Sequence, residues 1–457
     1  MFDDTIAAIA TAMAPSGIGI VRISGPSAVE TADRVFRMKS GKKLSECHTH
    51  TIHYGFVMDG DRKVDEVMAL LMKAPHSYTK EDCVELDCHG GPKVVQKVLE
   101  VVTQNGARLA EPGEFTKRAF LNGRIDLSSA EAVADLINSK TDFARESSLS
   151  QVQGSVKEKI DDLRSVILEQ TAFIEAALDD PEHYSLDGYP EKLSLILVDL
   201  FQKLDALISS YRNGSLLKEG VNTVIVGKPN AGKSSLMNML TGKEKAIVTD
   251  IAGTTRDIIE DQVQLGGILL NILDTAGIRR SGDKIEQIGV GLAMKKMEEA
   301  DLVLYVVDAS IPLDENDEEI ISSLRDKPVL VLLNKSDLPP VVTEESLKQK
   351  LPYPVLPISA KQGEGMSLLE KKIEEMFFNG DISFNDEVYI TNERQKKALQ
   401  EARSSLELVK EGIENQMPED FLSIDLMNAY QSLGEITGET VEEDLVNEIF
   451  SKFCMGK

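Results

Sequence analysis

Eight residues, Gly227-Lys228-Pro229-Asn230-Ala231-Gly232-Lys233-Ser234, set two glycines around a four-residue gap and follow the second with lysine and a hydroxyl residue. The types suit phosphate. Glycine lets successive backbone N–H groups curl around phosphate oxygens, Lys233 supplies a point charge, and Ser234 offers a hydroxyl to Mg2+. Continued by Ser235, the stretch is a candidate phosphate loop; its bland reading is a glycine-rich turn. Three further segments follow in order. Asp274-Thr275-Ala276-Gly277 stands at a strand end, where an aspartate reaches Mg2+ through water. Asn334-Lys335-Ser336-Asp337 presents a carboxylate that can accept from the two N–H donors of guanine, whereas adenine offers an acceptor there. Such a mismatch leaves buried polar groups unpaired and discriminates by about 10⁴. Ser359-Ala360-Lys361 completes the base pocket. Together the segments predict GTP as the bound nucleotide.

Hydrolysis needs a residue to orient water. Many small GTPases place Gln directly after Asp-Thr-Ala-Gly, but Ile278 stands there and cannot hydrogen-bond. Glu286 lies on the same stretch and could hold the water through a bridging molecule, the alternative being a solvated helix carboxylate.

The elements that must position these residues follow from periodicity. Val221 to Val226 reads as a buried strand and Ser235 to Leu240 as an opening helix, the strand-loop-helix setting a phosphate loop needs. Ile258 to Leu265 and Ile268 to Leu273 read as strands joined by a Gly266-Gly267 turn, and Val329 to Leu333 and Val355 to Ile358 as further strands. Upstream, strands are expected at Thr5 to Ala10, Gly19 to Ile23, Val64 to Met72 and Cys83 to Asp87, with helices at Ala28 to Phe36 and Val94 to Val102. His48, His50 and His53 have no acidic or sulfur partner at ligand spacing and read as a solvated strand face.

After Pro112-Gly113 the periods lengthen. Ser128 and Glu131 form a capping-box signature. Ile160, Leu163, Ile167, Ile174 and Leu178 lie on one helical stripe, as do Leu193, Ile196, Leu200, Leu204 and Leu207. Asn213-Gly214 marks a boundary before the phosphate-loop module. Helices resume with Ala398, Ala402, Leu406 and Val409, then Phe421 to Leu433, then a helix capped by Thr440 and Glu443.

The expected architecture is multidomain α/β. An N-terminal α+β domain spans residues 1–118, a P-loop (Ras-like) G domain spans 218–379, and residues 119–217 pack with 380–457 as one discontinuous helical domain. Two separate bundles are the alternative. The 457 residues agree with about three domains. A net charge of −26 and a pI near 4.7 argue against broad adhesion to nucleic acid or anionic lipid. The acidic start and the lack of an apolar run of membrane length predict a cytoplasmic chain with no membrane partner. The four cysteines, Cys47, Cys83, Cys88 and Cys454, include no C-x-x-C pair and are expected as reduced thiols.

The chain resembles the MnmE (TrmE) family of tRNA modification GTPases over nearly its whole length. The resemblance is carried by the phosphate loop with Asn230, by Thr249-Asp250-Ile251-Ala252-Gly253-Thr254-Thr255-Arg256-Asp257, by Ile278 and by Cys454-Met455-Gly456-Lys457. Asp4-Thr5-Ile6, Val21-Arg22-Ile23-Ser24-Gly25 and the stretch from Glu111 to Arg124 add N-terminal signatures. It implies a K+-activated GTPase whose G domains dimerise, with the Asn230 side chain and oxygens of Thr249, Ile251 and Thr254 holding K+. Ser234 and Thr255 would hold Mg2+, Thr249 would touch GTP, and Glu286 would be catalytic beside Lys233. A fixed positive centre supplied in trans is worth about 10³ to 10⁵ in rate.

The same resemblance implies an N-terminal domain that is a constitutive homodimer and binds 5-formyl- or methylene-tetrahydrofolate through Arg22, Glu85, Arg124 and Lys457. It further implies a heterotetramer with an FAD-containing MnmG (GidA) partner and tRNA as the modified molecule, substituted at carbon five of the wobble uridine. Cys454 would sit near that chemistry, or be a small buried thiol at a helix end. A helix from Val441 to Phe450, with Leu445 and Ile449 available to dock, would hold this tail against the helical domain, and Gly456 would let it bend. Two departures stand out: Met455 replaces the family's usual Ile, and Asp180 replaces a common aromatic before Pro181. A ribosome-assembly GTPase of the Era/EngA type shares the G-domain motifs, but the tail has no GxxG clamp and the chain no second phosphate loop. A one-carbon enzyme with an acquired G domain is the other rival.

Overall fold

The computed structural model describes residues 3–242, 259–273, 297, 300–324, 327–378, 388–441, 443–453 and 456. The chain divides into two compact units, one of Met1–Ile137, Ser148–Leu204 and Arg394–Lys457, the other of Asn138–Ser147 and Asp205–Glu393.

In the first unit, strands β1 (Ile6–Ile9), β2 (Ile18–Ser24), β3 (Phe36–Met38), β4 (Thr51–Asp59), β5 (Arg62–Met72), β6 (Cys83–His89) and β7 (Arg108–Leu109) form a sheet in the order β3-β4-β5-β6-β2-β1-β7. Strand alternation decides what each face does. Val21, Ile23, Val84 and Leu86 point into a core closed by Val35 of the Ala28–Val35 helix and by Val95, Val98 and Val102 of the Pro92–Gln104 helix. Burying each such side chain contributes about 1.5–3 kcal/mol. Arg22 and Glu85, at alternate positions, are register partners on the opposite face. Of the three histidines expected on a strand face, His53 lies in β4, while His48 and His50 precede it.

An ionic cluster ties the chain start to the Glu114–Leu121 helix. Arg118 is fully buried and reaches Glu81 at 3.1 Å, Asp4 at 2.7 Å and Glu114 at 3.3 Å. Arg108 reaches Asp4 at 2.6 Å and Glu114 at 2.5 Å. Burial works against the ionised acids, but the two arginines hold Asp4 and Glu114 below the usual carboxylate range.

The helical part of this unit lays the Ser155–Asp179 helix along the Glu419–Thr437 helix. Ile160, Leu163, Ile167 and Ile174 are buried as expected, but Leu178 is 44% exposed, in the last turn before Asp180-Pro181. Asp180 ends this helix with its N–H donating to Ala176, and the stripe stays buried as far as Ala177. In the next helix Leu197 is fully enclosed and Ile196 only partly. The expected Ser128 cap is also corrected. Asp126 accepts from the Ser129 N–H at 3.1 Å and from its hydroxyl at 2.6 Å, so the cap lies two residues earlier, and Ser128 is buried inside the Leu127–Asn138 helix. Glu131, freed from capping, takes a two-pronged bond from Arg394 at 2.9 Å to each oxygen. The last helix spans Glu443–Ser451, and the Thr440 hydroxyl donates to Gln431 rather than capping it.

In the second unit β8 (Val221–Val226), β9 (Ile259–Leu265), β10 (Ile268–Leu273), β11 (Leu302–Asp308), β12 (Val329–Asn334) and β13 (Val355–Pro357) run in the order β13-β12-β11-β8-β10-β9. All pairs are parallel except the β9–β10 hairpin at Gly266-Gly267. Val221, Leu304 and Leu332 pack with Leu236, Leu369 and Ile373 on one face, and Val224, Val303 and Val331 with Leu324 and Leu347 on the other. Both faces are therefore covered, which explains strands apolar at successive positions. Asn213-Gly214 is no boundary, because the Tyr189–Glu219 helix runs through it. Gly214 is there for a close approach: a Cβ would stand 2.2 Å from the Ile390 carbonyl oxygen. Among the described residues no helix is long and apolar enough to cross a membrane.

Candidate functional site

The phosphate-loop residues lie between β8 and the start of the Lys233–Thr241 helix, and a helix N-terminus is the end that suits an anion. Asn230 has φ +61°, in the left-handed region that Asn tolerates better than most residues, and is exposed, as are Ser234 and Ser235. The Lys233 ammonium donates to the carbonyls of Gly227 at 2.6 Å and Lys228 at 2.9 Å, which folds it back over its own loop.

β12 delivers Asn334 beside this loop. Its amide donates to the Ala231 carbonyl at 2.8 Å, and its carbonyl oxygen accepts from the Ala360 N–H at 3.0 Å. Gly232, at φ +105°, makes room for that contact, because a Cβ there would lie 2.0 Å from Asn334 Nδ2. Lys335 pairs with Asp308 at the end of β11. Burial disfavours the charge on Asp308, but hydrogen bonds from Lys335 and Ser310 hold its carboxyl below the usual range. Asp337 is exposed, and its Oδ1 accepts from the buried Ser359 hydroxyl at 2.7 Å, leaving the carboxylate edge directed by a fixed partner. Gly232, Asn334, Ala360, Asp337 and Ser359 are thus brought together, with Lys361 next in the same loop; Ser336 donates its N–H to Ile358 and joins the two base segments. Thr249, Ile251, Thr254, Thr255, Asp274, Thr275, Ala276, Gly277, Ile278 and Glu286 lie outside the described residues.

Sequence reasoning missed the support behind the loop. Lys228, 5% exposed, places its ammonium 2.7 Å from Asp317 and 3.2 Å from Asp314. The Tyr305 hydroxyl also donates to Asp317, at 2.9 Å. The only signal was a lysine inside an otherwise small-residue loop.

On the open face of the first unit's sheet, Arg22 Nε donates to Glu85 Oε1 at 2.7 Å, each side chain 15% exposed. The Arg22 guanidinium lies 5.5 Å from the Tyr78 ring centroid and 5.6 Å from that of Phe115, and Arg124 lies 4.7 Å from Tyr78. Tyr78 and Thr116 share a 2.9 Å hydroxyl contact. The Gly456 carbonyl accepts from Arg22 Nη1 at 3.3 Å, and Gly456 packs against Ile9 and Ala10. That residue therefore rests on the N-terminal sheet beside Arg22, past the point where the tail is expected to bend away from the helical domain. Val446 and Phe450 dock the helix before it, while Leu445 is exposed. Cys454, Met455 and Lys457 lie outside the described residues.

The family described as MnmE helical domain matches residues 127–454, and that described as GTP-binding protein TrmE N-terminus matches residues 5–124. The tRNA modification GTPase MnmE of Lachnoclostridium phytofermentans is 56% identical over 458 residues, spanning 100% of both chains. That of Acetivibrio thermocellus is 47% identical over 458 residues, covering 100% of this chain and 99% of the relative. A solved structure of an Aquifex aeolicus Era variant bound to GDP·AlF4− is 29% identical over 41% of this chain and 67% of its own, with a TM-score of 0.28. Such whole-length agreement sets aside the Era/EngA reading. The chain belongs to the MnmE family of tRNA modification GTPases, and is a GTP-binding GTP hydrolase that acts in tRNA modification.

Proposed function

We propose that this GTPase is potassium-activated and works with an FAD-containing MnmG (GidA) partner, as a heterotetramer, to install an aminomethyl-type group at carbon five of the tRNA wobble uridine. The observation that supports it most is the meeting of Arg22, Glu85, Tyr78 and Arg124 with Gly456 on one sheet face. Two cations, a carboxylate and an aromatic ring form a donor set suited to a folate: Glu85 for the amino-pyrimidinone edge, Arg22, Arg124 and Lys457 for the glutamate. Tetrahydrofolate, when bound there, supplies the one-carbon unit. Around this set Ile18, Ile52, Tyr54 and Met68 are exposed, which favours a homodimer covering the site.

In the G domain Asp337 and Ser359 would hold guanine, the loop Asn230–Ser235 and Lys233 the phosphates, and Ser234, Thr255 and Asp274 the Mg2+ shell. Asn230, Thr249, Ile251 and Thr254 would hold K+, which supplies fixed positive charge in place of an arginine finger; Thr275, Ala276 and Gly277 would line the γ-phosphate and Glu286 would position water. The working compartment is the cytoplasm. The test is mass spectrometry of tRNA nucleosides from a deletion strain carrying the wild-type chain or Arg22→Ala. Wobble modification should be lost on deletion, restored by wild type and not by Arg22→Ala, whose GTP turnover should persist. Full modification with Arg22→Ala would remove the folate assignment.

A further inference from the structure

Two lysines of the nucleotide site rest on a stretch that carries none of the recognised motifs. β11 ends at Asp308, which takes Lys335 of the base loop. The chain then runs through Pro312 into the Glu315–Ser323 helix, and there the Pro312 carbonyl, Asp314 and Asp317 take Lys228 of the phosphate loop, at 3.3, 3.2 and 2.7 Å. Asp314 caps that helix, accepting from the Asn316 and Asp317 N–H groups, and Asp317 returns the bond by accepting from the Asp314 N–H at 3.1 Å. The lysine ammonium thus sits on a capping box. Asp317 is fully buried, and a buried carboxylate is costly unless paired and hydrogen-bonded, so this arrangement depends on the cation. On its main-chain side Lys228 offers the carbonyl that accepts from Lys233 Nζ at 2.9 Å and from the Ala231 N–H at 3.3 Å.

We propose that Lys228 is a positioning residue: anchored on Asp314 and Asp317, it fixes the first turn of the phosphate loop and so aims Asn230 and Lys233. It acts through Lys233 and the loop, and the segment 308–317 becomes a bracket common to phosphate and base recognition. The inference rests on the loop being the phosphate cradle, which Lys233→Ala tests separately by losing GDP binding.

The experiment measures, on the full chain, GDP affinity, GTP and ATP turnover and the thermal midpoint for wild type, Lys228→Met and Lys228→Arg. Lys228→Met should lose about tenfold or more in both GDP affinity and kcat, since small displacements of a positioned group carry large kinetic effects. Its preference for GTP over ATP should stay, because the base pocket is untouched, and Lys228→Arg should restore most of both losses. A folded Lys228→Met with wild-type GDP affinity and kcat would overturn the proposal. Where Lys228→Met does not fold, Asp317→Asn carries the test: about a threefold loss of GDP affinity with unchanged base preference is expected, and wild-type affinity overturns it. Loss of GDP binding in Lys233→Ala beside a silent Lys228→Met would sink the anchoring alone; retained binding in Lys233→Ala would sink the loop assignment.

Discussion

Asn334 spans two loops: its Nδ2 donates to the Ala231 carbonyl at 2.8 Å while its Oδ1 accepts from the Ala360 N–H at 3.0 Å. One buried amide therefore joins phosphate loop to base loop. Asn334→Ala would leave a buried carbonyl and a buried N–H without partners, at about 1–3 kcal/mol each. Urea unfolding of the G domain should shift by that order and nucleotide affinity should fall with it. An unchanged unfolding midpoint would show that the bridge is dispensable.

Asp337 is oriented by Ser359, and its other edge is the one proposed to read guanine. Asp337→Asn exchanges an acceptor for a donor, so GTP should weaken and xanthosine triphosphate should gain in competition titrations. Equal wild-type affinity for ATP and GTP would contradict the assignment.

The Arg118 cluster is structural. Arg118→Met would leave Glu81 buried without its cation, while Glu114 keeps Arg108, and breaking a buried pair in this way costs about 3–5 kcal/mol. Denaturant dependence of hydrogen exchange in the N-terminal sheet should show that loss, while GTP turnover at low temperature is retained. A loss below about 1 kcal/mol would mean that water compensates the acids.

Burial pushes the Cys83 and Cys88 thiols up to about 12 from an ordinary 9.0. Since the thiolate is the nucleophile, neither should react with a thiol reagent at pH 8 in the native state, while the half-buried Cys47 should react ahead of both. The sign for stability follows: the folded state keeps protons that the unfolded chain releases above 9.0, so stability is intact below that pH and falls as pH rises towards 12. Rapid native labelling of Cys83 would refute the burial argument.

Legibility in the sequence followed the range of the interaction. The strand-loop-helix setting of Gly227–Ser234 and the strands that precede Ser336 and Ser359 are legible in the sequence because each is carried by a few consecutive residues, and those strands are apolar runs set by burial on both faces. Lys228 was not readable as a support, since Asp317 stands 89 positions away. Asn213-Gly214 was misread because a glycine serving a close approach to Ile390 looks, in sequence, like one serving a turn. Ser128 lost the cap to Asp126 because both types cap helices and only burial chose between them. The Arg22–Glu85 pairing came from strand register, which motifs do not encode, so resemblance alone brought those two residues together.

Potassium activation is tested by steady-state GTP turnover in KCl and NaCl at equal ionic strength, with ATP as the control nucleotide. Oxygens spaced for K+ would be too far apart for the smaller Na+, so turnover should be much faster in KCl, with ATP hardly hydrolysed in either salt. Equal GTP rates in the two salts would contradict potassium activation, and comparable ATP turnover would contradict the guanine site.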